Sequence, residues 1–142
     1  MKLLNSKSAE YLLIGGYAVN YYGYARSTGD MDIWIAISKI NASKVVAVLR
    51  EFGFGVAELQ ADLFLRNDQI VRLGEEPLRI ELLTSISGVR FADCYARRNR
   101  VRMDGLRVNL ISLHDLKRNK AATGRAKDQA DLEQLERLEH DS

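Results

Sequence analysis

Apolar residues alternate with other residue types through Asp30-Met31-Asp32-Ile33-Trp34-Ile35-Ala36-Ile37, where Met31, Ile33, Ile35 and Ile37 share one phase. A period of two predicts a strand over Met31–Ile37 with one strongly apolar face. A second apolar run, Tyr11–Ile14, reads as a buried strand that stops at Gly15-Gly16. Around these two strands the pattern predicts a short leading helix over 2–8 and another over Gly16–Gly23, closed by its glycine. A longer helix carries Val45, Val46, Val48, Leu49 and Phe52, with Ser38 or Asn41 as its cap and Gly53 as its stop. The stretch Leu59–Leu65 fits no period clearly. Gln69–Leu73 and Leu78–Thr84 read as a hairpin around Gly74-Glu75-Glu76-Pro77. A short helix is expected over Val89–Arg97. Arg100–Met103 and Leu106–Ile111 then flank Asp104-Gly105, a strong hairpin signal. Ser112-Leu113-His114-Asp115 has the form of a capping box. It predicts a helix running to Thr123 and ended by Gly124, with a last helix over Arg125–Glu139.

Strands and helices in this mixture predict an α+β fold: a mixed, mainly antiparallel central sheet with flanking helices and a C-terminal helical hairpin. One domain is expected over 1–142, with the sheet-bearing core in 1–111 and the hairpin in 112–142.

Composition narrows the function class. Of 142 residues, 46% are hydrophobic, and a single proline argues against a disordered chain. Cys94 is the only cysteine, so no internal disulfide can form. No apolar run approaches the ~18 residues of a membrane span, and Met1–Ser6 is too short and polar for a signal peptide. The expectation is a cytoplasmic protein without a membrane partner. Net charge is +2, but unevenly placed. Arg97 to Lys127 holds ten basic residues against Asp104 and Asp115, whereas the chain beyond holds six acids against Arg137. The basic stretch suits nucleic acid or a triphosphate, or equally a solvated hairpin and helix.

The candidate chemistry centres on Asp30 and Asp32. Two residues apart on a strand, they point to the same side, roughly 7 Å apart at their backbones, and can converge on a divalent cation. Glu81, set in the apolar strand Leu78–Leu83, is the candidate third carboxylate; a cross-strand salt bridge to Arg72 or Arg107 is the competing role. Two metal ions bridged by carboxylates would neutralise and align a triphosphate. Gly15 and Gly16 stand where a strand becomes a helix, leaving room for a phosphate to approach the backbone. Arg26 and Thr28, in the loop feeding the carboxylate strand, are further phosphate candidates. Lys120 shares the inward stripe of Leu113 and Leu116, and Asp128 that of Leu132 and Leu135. Lys120 and Asp128 either pair across the Gly124 turn or, with Arg125 and Lys127, serve the nucleotide. Tyr17, Tyr21, Tyr22 and Tyr24 either stack on a base or pack the short helix onto the sheet. His114, His140 and Cys94 show no metal-ligand spacing, and Cys94 reads as core.

Taken together, Leu13-Ile14-Gly15-Gly16-Tyr17-Ala18, Arg26–Asp32, Asp115–Lys120 and Gly124–Asp131 resemble the polymerase-β-type nucleotidyltransferases, in the small prokaryotic branch near the AbiEii toxins. The resemblance spans roughly 11–135. It implies that Gly15 and Gly16 hold the triphosphate and that Asp30 and Asp32 ligate Mg2+, with Glu81 as third ligand. Lys120 and Asp128 match positions that support nucleotide binding and activity in that branch. The implied reaction is attack of an acceptor hydroxyl on the α-phosphorus of a nucleoside triphosphate (NTP), releasing pyrophosphate. The chain departs from the pattern twice: Gly16 stands where many active members carry serine, and Glu81 where aspartate is usual.

The expected function is a Mg2+-dependent nucleotidyltransferase with a two-ion site. Its acceptor is a hydroxyl of RNA (tRNA) or of a protein, and the resemblance makes the chain a candidate toxin with a cognate antitoxin. For tRNA, the run Arg97–Arg102 would form a phosphate track. The alternatives are a nucleotide- or RNA-binding module with little turnover, supported by Gly16 and Glu81, and a small-molecule transferase acting on an antibiotic. The last lacks the acidic region that a polycationic drug requires.

Overall fold

The computed structural model describes residues 1–23, 29–53, 61–74 and 79–140. The elements in chain order are α1 (Lys2–Ser6), β1 (Tyr11–Ile14), α2 (Gly15–Tyr21), β2 (Asp30–Ile35), α3 (Lys39–Glu51), β3 (Ile70–Leu73), β4 (Arg79–Leu83), α4 (Phe91–Ala96), β5 (Asn99–Met103), β6 (Leu106–Leu110), α5 (Leu113–Thr123) and α6 (Ala126–His140). The ambiguous Leu59–Leu65 stretch contains a 3-10 helix over Ala61–Leu65 that buries Phe64. Among the described residues no helix is long and apolar enough to cross a membrane.

One six-stranded sheet runs in the order β3-β4-β2-β1-β6-β5. The pairs β1–β2, β3–β4 and β5–β6 are antiparallel, whereas β1–β6 and β2–β4 are parallel. The expected α+β fold with a mixed sheet is what forms, and both expected hairpins are present. The turn residues Glu75, Glu76 and Pro77 of the first lie outside the described residues. The carboxylate strand is shorter than expected: it begins at Asp30 and ends at Ile35, because Ile37 and Ser38 already lead into α3.

The core is built on β1, buried throughout, and on Ile33, Trp34 and Ile35 of β2. Ser38 is the N-cap of α3; its Oγ accepts from the Asn41 backbone N–H at 3.0 Å. Asn41 has a different task. Only 3% exposed, it accepts from the Glu10 N–H and donates to the Glu10 and Ala36 carbonyls, tying α3 to both central strands. Ser112 caps α5 as expected, its Oγ accepting from the Asp115 N–H at 3.1 Å, but the return half of a capping box does not form: the Asp115 carboxylate accepts from Ser112 Oγ and from Arg97. Gly124, at φ +71, ends that helix in the left-handed conformation.

Candidate active site

Strand register brings the acidic residues together. Ile14 pairs with Asp32, Asp32 with Glu81, and Glu81 with Arg72, so these four form one row across β1, β2, β4 and β3. Paired residues share a face, so the row stands on one side of the sheet. Asp30 and Arg79 form the next pair on that face. The salt bridge expected of Glu81 forms with Arg72, whose Nε donates to Glu81 Oε1 at 2.9 Å, and Glu81 also lies beside Asp32 across the ladder. Arg79 Nε likewise donates to Asp30 Oδ1 at 3.0 Å.

Asp32 is the exceptional carboxylate. Its Oδ1 is buried and has no hydrogen-bond partner. Burial, then the charge and hydrogen bond of Glu81, then the charge of Asp30, push its carboxyl up to about 7, while Lys120 pulls the other way. A buried carboxylate oxygen lacking a donor is costly unless a cation or proton reaches it. Among the described residues, no three His, Cys, Asp or Glu side chains already converge as a ligand set. Arg79 and Arg72 hold the other two carboxylates. The donor chemistry still fits a divalent ion: an oxygen without a partner on Asp32, with Asp30 and Glu81 on the adjoining positions of one face.

Gly15 is required by this arrangement. Its φ is +66, and a Cβ there would collide with Asp32 Oδ2 and lie 3.1 Å from Asp32 Cβ and Cγ. Gly15 thus serves close packing against the carboxylate, and both glycines line the cavity. Gly15→Ala is expected to cost about 1–3 kcal/mol in urea unfolding, through strain at a positive φ and displacement of Asp32. Equal stability of variant and parent would contradict this account.

The C-terminal helices close the site from the other side. Lys120 and Asp128 do pair across the Gly124 turn, Nζ to Oδ1 at 2.9 Å, and Lys120 also reaches Asp131 Oδ2 at 3.1 Å. All three are nearly fully buried. Burial alone would raise the Asp128 carboxyl. Hydrogen bonds from Lys120 and Thr123, with the charges of Lys120 and Arg125, outweigh it and hold Asp128 below the usual carboxylate range. Asn119 Nδ2 donates to the Ser87 carbonyl at 2.9 Å and anchors α5 to the segment after β4.

A cavity of about 650 Å3 lies between the two halves. Gly15, Gly16, Asp30, Asp32 and Glu81 line the sheet side; Lys120, Arg125, Lys127 and Asp128 line the helical side. Nine of the eleven sequence candidates therefore face one space, while Arg26 and Thr28 lie outside the described residues. Arg72, Arg79, Asn119 and Thr123 join them, as do Ser85 and Ser87. Of these, Arg79 was foreseeable from its two-residue spacing to Glu81. Asp131, three residues after Asp128 on the same helix, carried the same kind of signal.

Three further candidates have structural roles. Cys94 is fully buried, and burial followed by Asp115 pushes its thiol up to about 12, which excludes a nucleophile at neutral pH. Arg97 grips Asp115 through Nε and Nη2, at 3.1 and 2.8 Å. Tyr22 Oη donates to the Ile111 carbonyl at 2.6 Å, the packing role rather than base stacking. Tyr24 lies outside the described residues.

The sequence matches, over residues 1–142, the family described as nucleotidyl transferase of unknown function (DUF2204), and the chain belongs to that family. Comparison with curated proteins finds no match. Among solved structures, the chain is similar to an antigenic nucleotidyltransferase-like protein from Paracoccidioides brasiliensis. Identity is 17% and the TM-score 0.58, over 96% of this chain and 72% of that one. It is similar as well to a candidate nucleotidyltransferase from Thermotoga maritima, with 15% identity and a TM-score of 0.58, over 98% and 85% of the two chains. At these identities the likeness is one of fold.

Proposed function

We propose that this nucleotidyltransferase family member is a Mg2+-dependent enzyme that transfers a nucleoside monophosphate from an NTP to a hydroxyl of RNA or protein. The carrying observation is the partnerless, buried Oδ1 of Asp32 on the floor of a cavity whose far wall is basic. Mg2+ held by Asp32, Asp30 and Glu81 would supply Lewis-acid polarisation of the phosphate oxygens. Gly15 and Gly16 line the cavity without a side chain of their own, at the point where β1 gives way to α2, which suits them to a phosphate. Arg125 and Lys127 supply positive charge on the helical wall. In the transfer, the acceptor hydroxyl gives its proton to solvent and its oxygen forms a bond to the α-phosphorus while the bond to the bridging oxygen breaks, and pyrophosphate leaves with that electron pair. The finer assignment to the branch near the AbiEii toxins, with a cognate antitoxin as partner, rests on the Lys120 and Arg125–Asp128 blocks of the sequence.

A second reading has its own observation. Arg79 and Arg72 occupy Asp30 and Glu81 with salt bridges, as a fold that binds nucleotide without turnover would permit. Thermal shift against each ribonucleoside triphosphate, with and without Mg2+, separates the two when combined with an incorporation assay. The expected result is Mg2+-dependent stabilisation by at least one nucleotide, lost in Asp30→Ala/Asp32→Ala, together with incorporation of label from that nucleotide. Stabilisation without transfer to any acceptor supports the second reading, and no stabilisation at all refutes both.

A further inference from the structure

A strongly basic surface outside the cavity lies on the β5–β6 hairpin. Between Arg97 and Ile111 the sequence holds five arginines and a single acid, Asp104. Two of the five are already engaged. Arg97 is tied to Asp115, and Arg98 donates to the Tyr95 carbonyl while its guanidinium lies 4.0 Å from the centre of the Tyr95 ring. Arg100, Arg102 and Arg107 are exposed, and among the described residues none of them has an ion-pair partner.

Register puts these three on one side. Arg102 pairs directly with Arg107, and Arg100 with Asn109. Leu110 pairs with Leu13 of β1, so Asn109 and Arg107 share the opposite face with Ile14, the face of Asp32 and Glu81. The arginines therefore stand on the same side of the sheet as the carboxylates. Three strand spacings, about 14 Å, separate β2 from β5.

Two features of this surface call for an anion. Like charges directly across a ladder destabilise a hairpin unless something neutralises them. An edge strand needs charge to deter sheet-to-sheet pairing, but charge of either sign would serve, and here every one is positive. Arg100 and Arg102 are about 7 Å apart along the strand, comparable with successive phosphates of one nucleic-acid strand. Beside them on the same face, α4 offers a stack of planes. Phe91 and Tyr95 are stacked at 5.3 Å, Arg98 covers Tyr95, and Phe91 meets Trp34, which lies on the Asp32 side of β2. A basic track beside half-exposed aromatic rings is how proteins hold single strands.

We propose that this face binds single-stranded RNA, with phosphates on Arg100, Arg102 and Arg107 and a base on the Phe91–Tyr95–Arg98 stack. The choice of RNA rests on the nucleotidyl-transfer reading, in which the strand presents an acceptor hydroxyl to the cavity. The expected track over Arg97–Arg102 is thereby redrawn: Arg97 leaves it and Arg107 enters.

The test is fluorescence anisotropy of the full chain with a labelled oligouridylate of about 15 nucleotides, over a series of KCl concentrations and without NTP. The triple variant Arg100→Gln/Arg102→Gln/Arg107→Gln should lower the slope of log affinity against log salt by about 2, at roughly 0.7 per phosphate. The charge-matched variant Lys39→Gln/Arg50→Gln/Arg137→Gln, at exposed positions on α3 and α6, should keep the parental slope, as should Arg→Lys at the three hairpin positions. An unchanged slope in the hairpin triple overturns the proposal. So does an equal loss in the matched control, tighter binding of DNA of the same length, or full competition by polyglutamate. Hairpin-dependent RNA binding without transfer of any nucleotide would defeat the transfer reading and leave the RNA face standing. Transfer activity with hairpin-independent RNA binding would do the reverse.

Discussion

Asp32→Asn is expected to abolish nucleotidyl transfer and, in metal-free buffer at neutral pH and above, to stabilise the fold. Activity should fall by at least about a hundredfold, since a lost metal ligand costs no less than a lost outer-shell partner. The stability change follows from the raised carboxyl. In the unfolded chain Asp32 releases its proton near the ordinary aspartate value, but in the folded protein only near 7. Between those values the folded state binds the extra proton, so wild-type stability declines as pH rises from about 4 to about 7. Above 7, the folded chain carries a carboxylate that burial, Glu81 and Asp30 all disfavour. The carboxamide of the variant has no such charge, so its stability should lack this component of the decline. Urea midpoints across that range, for both proteins in chelator, measure it. Mg2+ should narrow the difference and bind the wild type more tightly as pH rises through 7. A wild-type stability that rises across this window would contradict the raised value and the site built on it.

The second large effect belongs to Lys120. Lys120→Met should destabilise the fold by about 3–5 kcal/mol, because Asp128 and Asp131 would remain buried without the ammonium that lies between them. The loss should depend on pH. Asp128 is held below its ordinary range, so its contribution to stability is present above about 4 and disappears as pH falls through the depressed folded value. The variant should therefore differ most from wild type near neutrality and least in acid. Adding Asp128→Asn and Asp131→Asn to Lys120→Met should recover part of the loss, since the two buried carboxylate charges that faced the ammonium are then gone. If Lys120→Met alone unfolds at the wild-type urea midpoint at pH 7, the buried triad is not what holds α5 to α6.

Much of this protein was legible from its sequence, for a reason particular residues make plain. Alternation through Asp30–Ile37 is a local signal, and it was enough to put Asp30 and Asp32 on one face. The Ser112 cap, the Gly124 stop and the Asp104-Gly105 turn are equally local, and each formed where expected. The helical stripes of Lys120 and Asp128 placed both inward before any contact was known. Spacing of two along a strand and three or four along a helix decides which way a side chain points. These steps require only neighbouring residues.

Pairing between distant segments required the whole sheet. The parallel alignment of β2 with β4 sets Glu81 beside Asp32, although 48 residues, β3 among them, lie between the two in sequence. The same register hands Asp30 to Arg79 and Glu81 to Arg72, so that each carboxylate has both a metal role and a salt-bridge role open to it. The elevated carboxyl of Asp32, its partnerless Oδ1 and its collision course with any Cβ on Gly15 arise only after the strands close around it. The placement of Arg100, Arg102 and Arg107 on the carboxylate side passes through β6 and β1 and could not be read from the hairpin itself. By itself the sequence determined most of the elements, the nucleotide-transfer chemistry they suggest and the direction that Asp30, Asp32, Lys120 and Asp128 face. Which candidates meet, and in what state of charge, was decided by the tertiary structure, because register and burial are properties of the packed sheet.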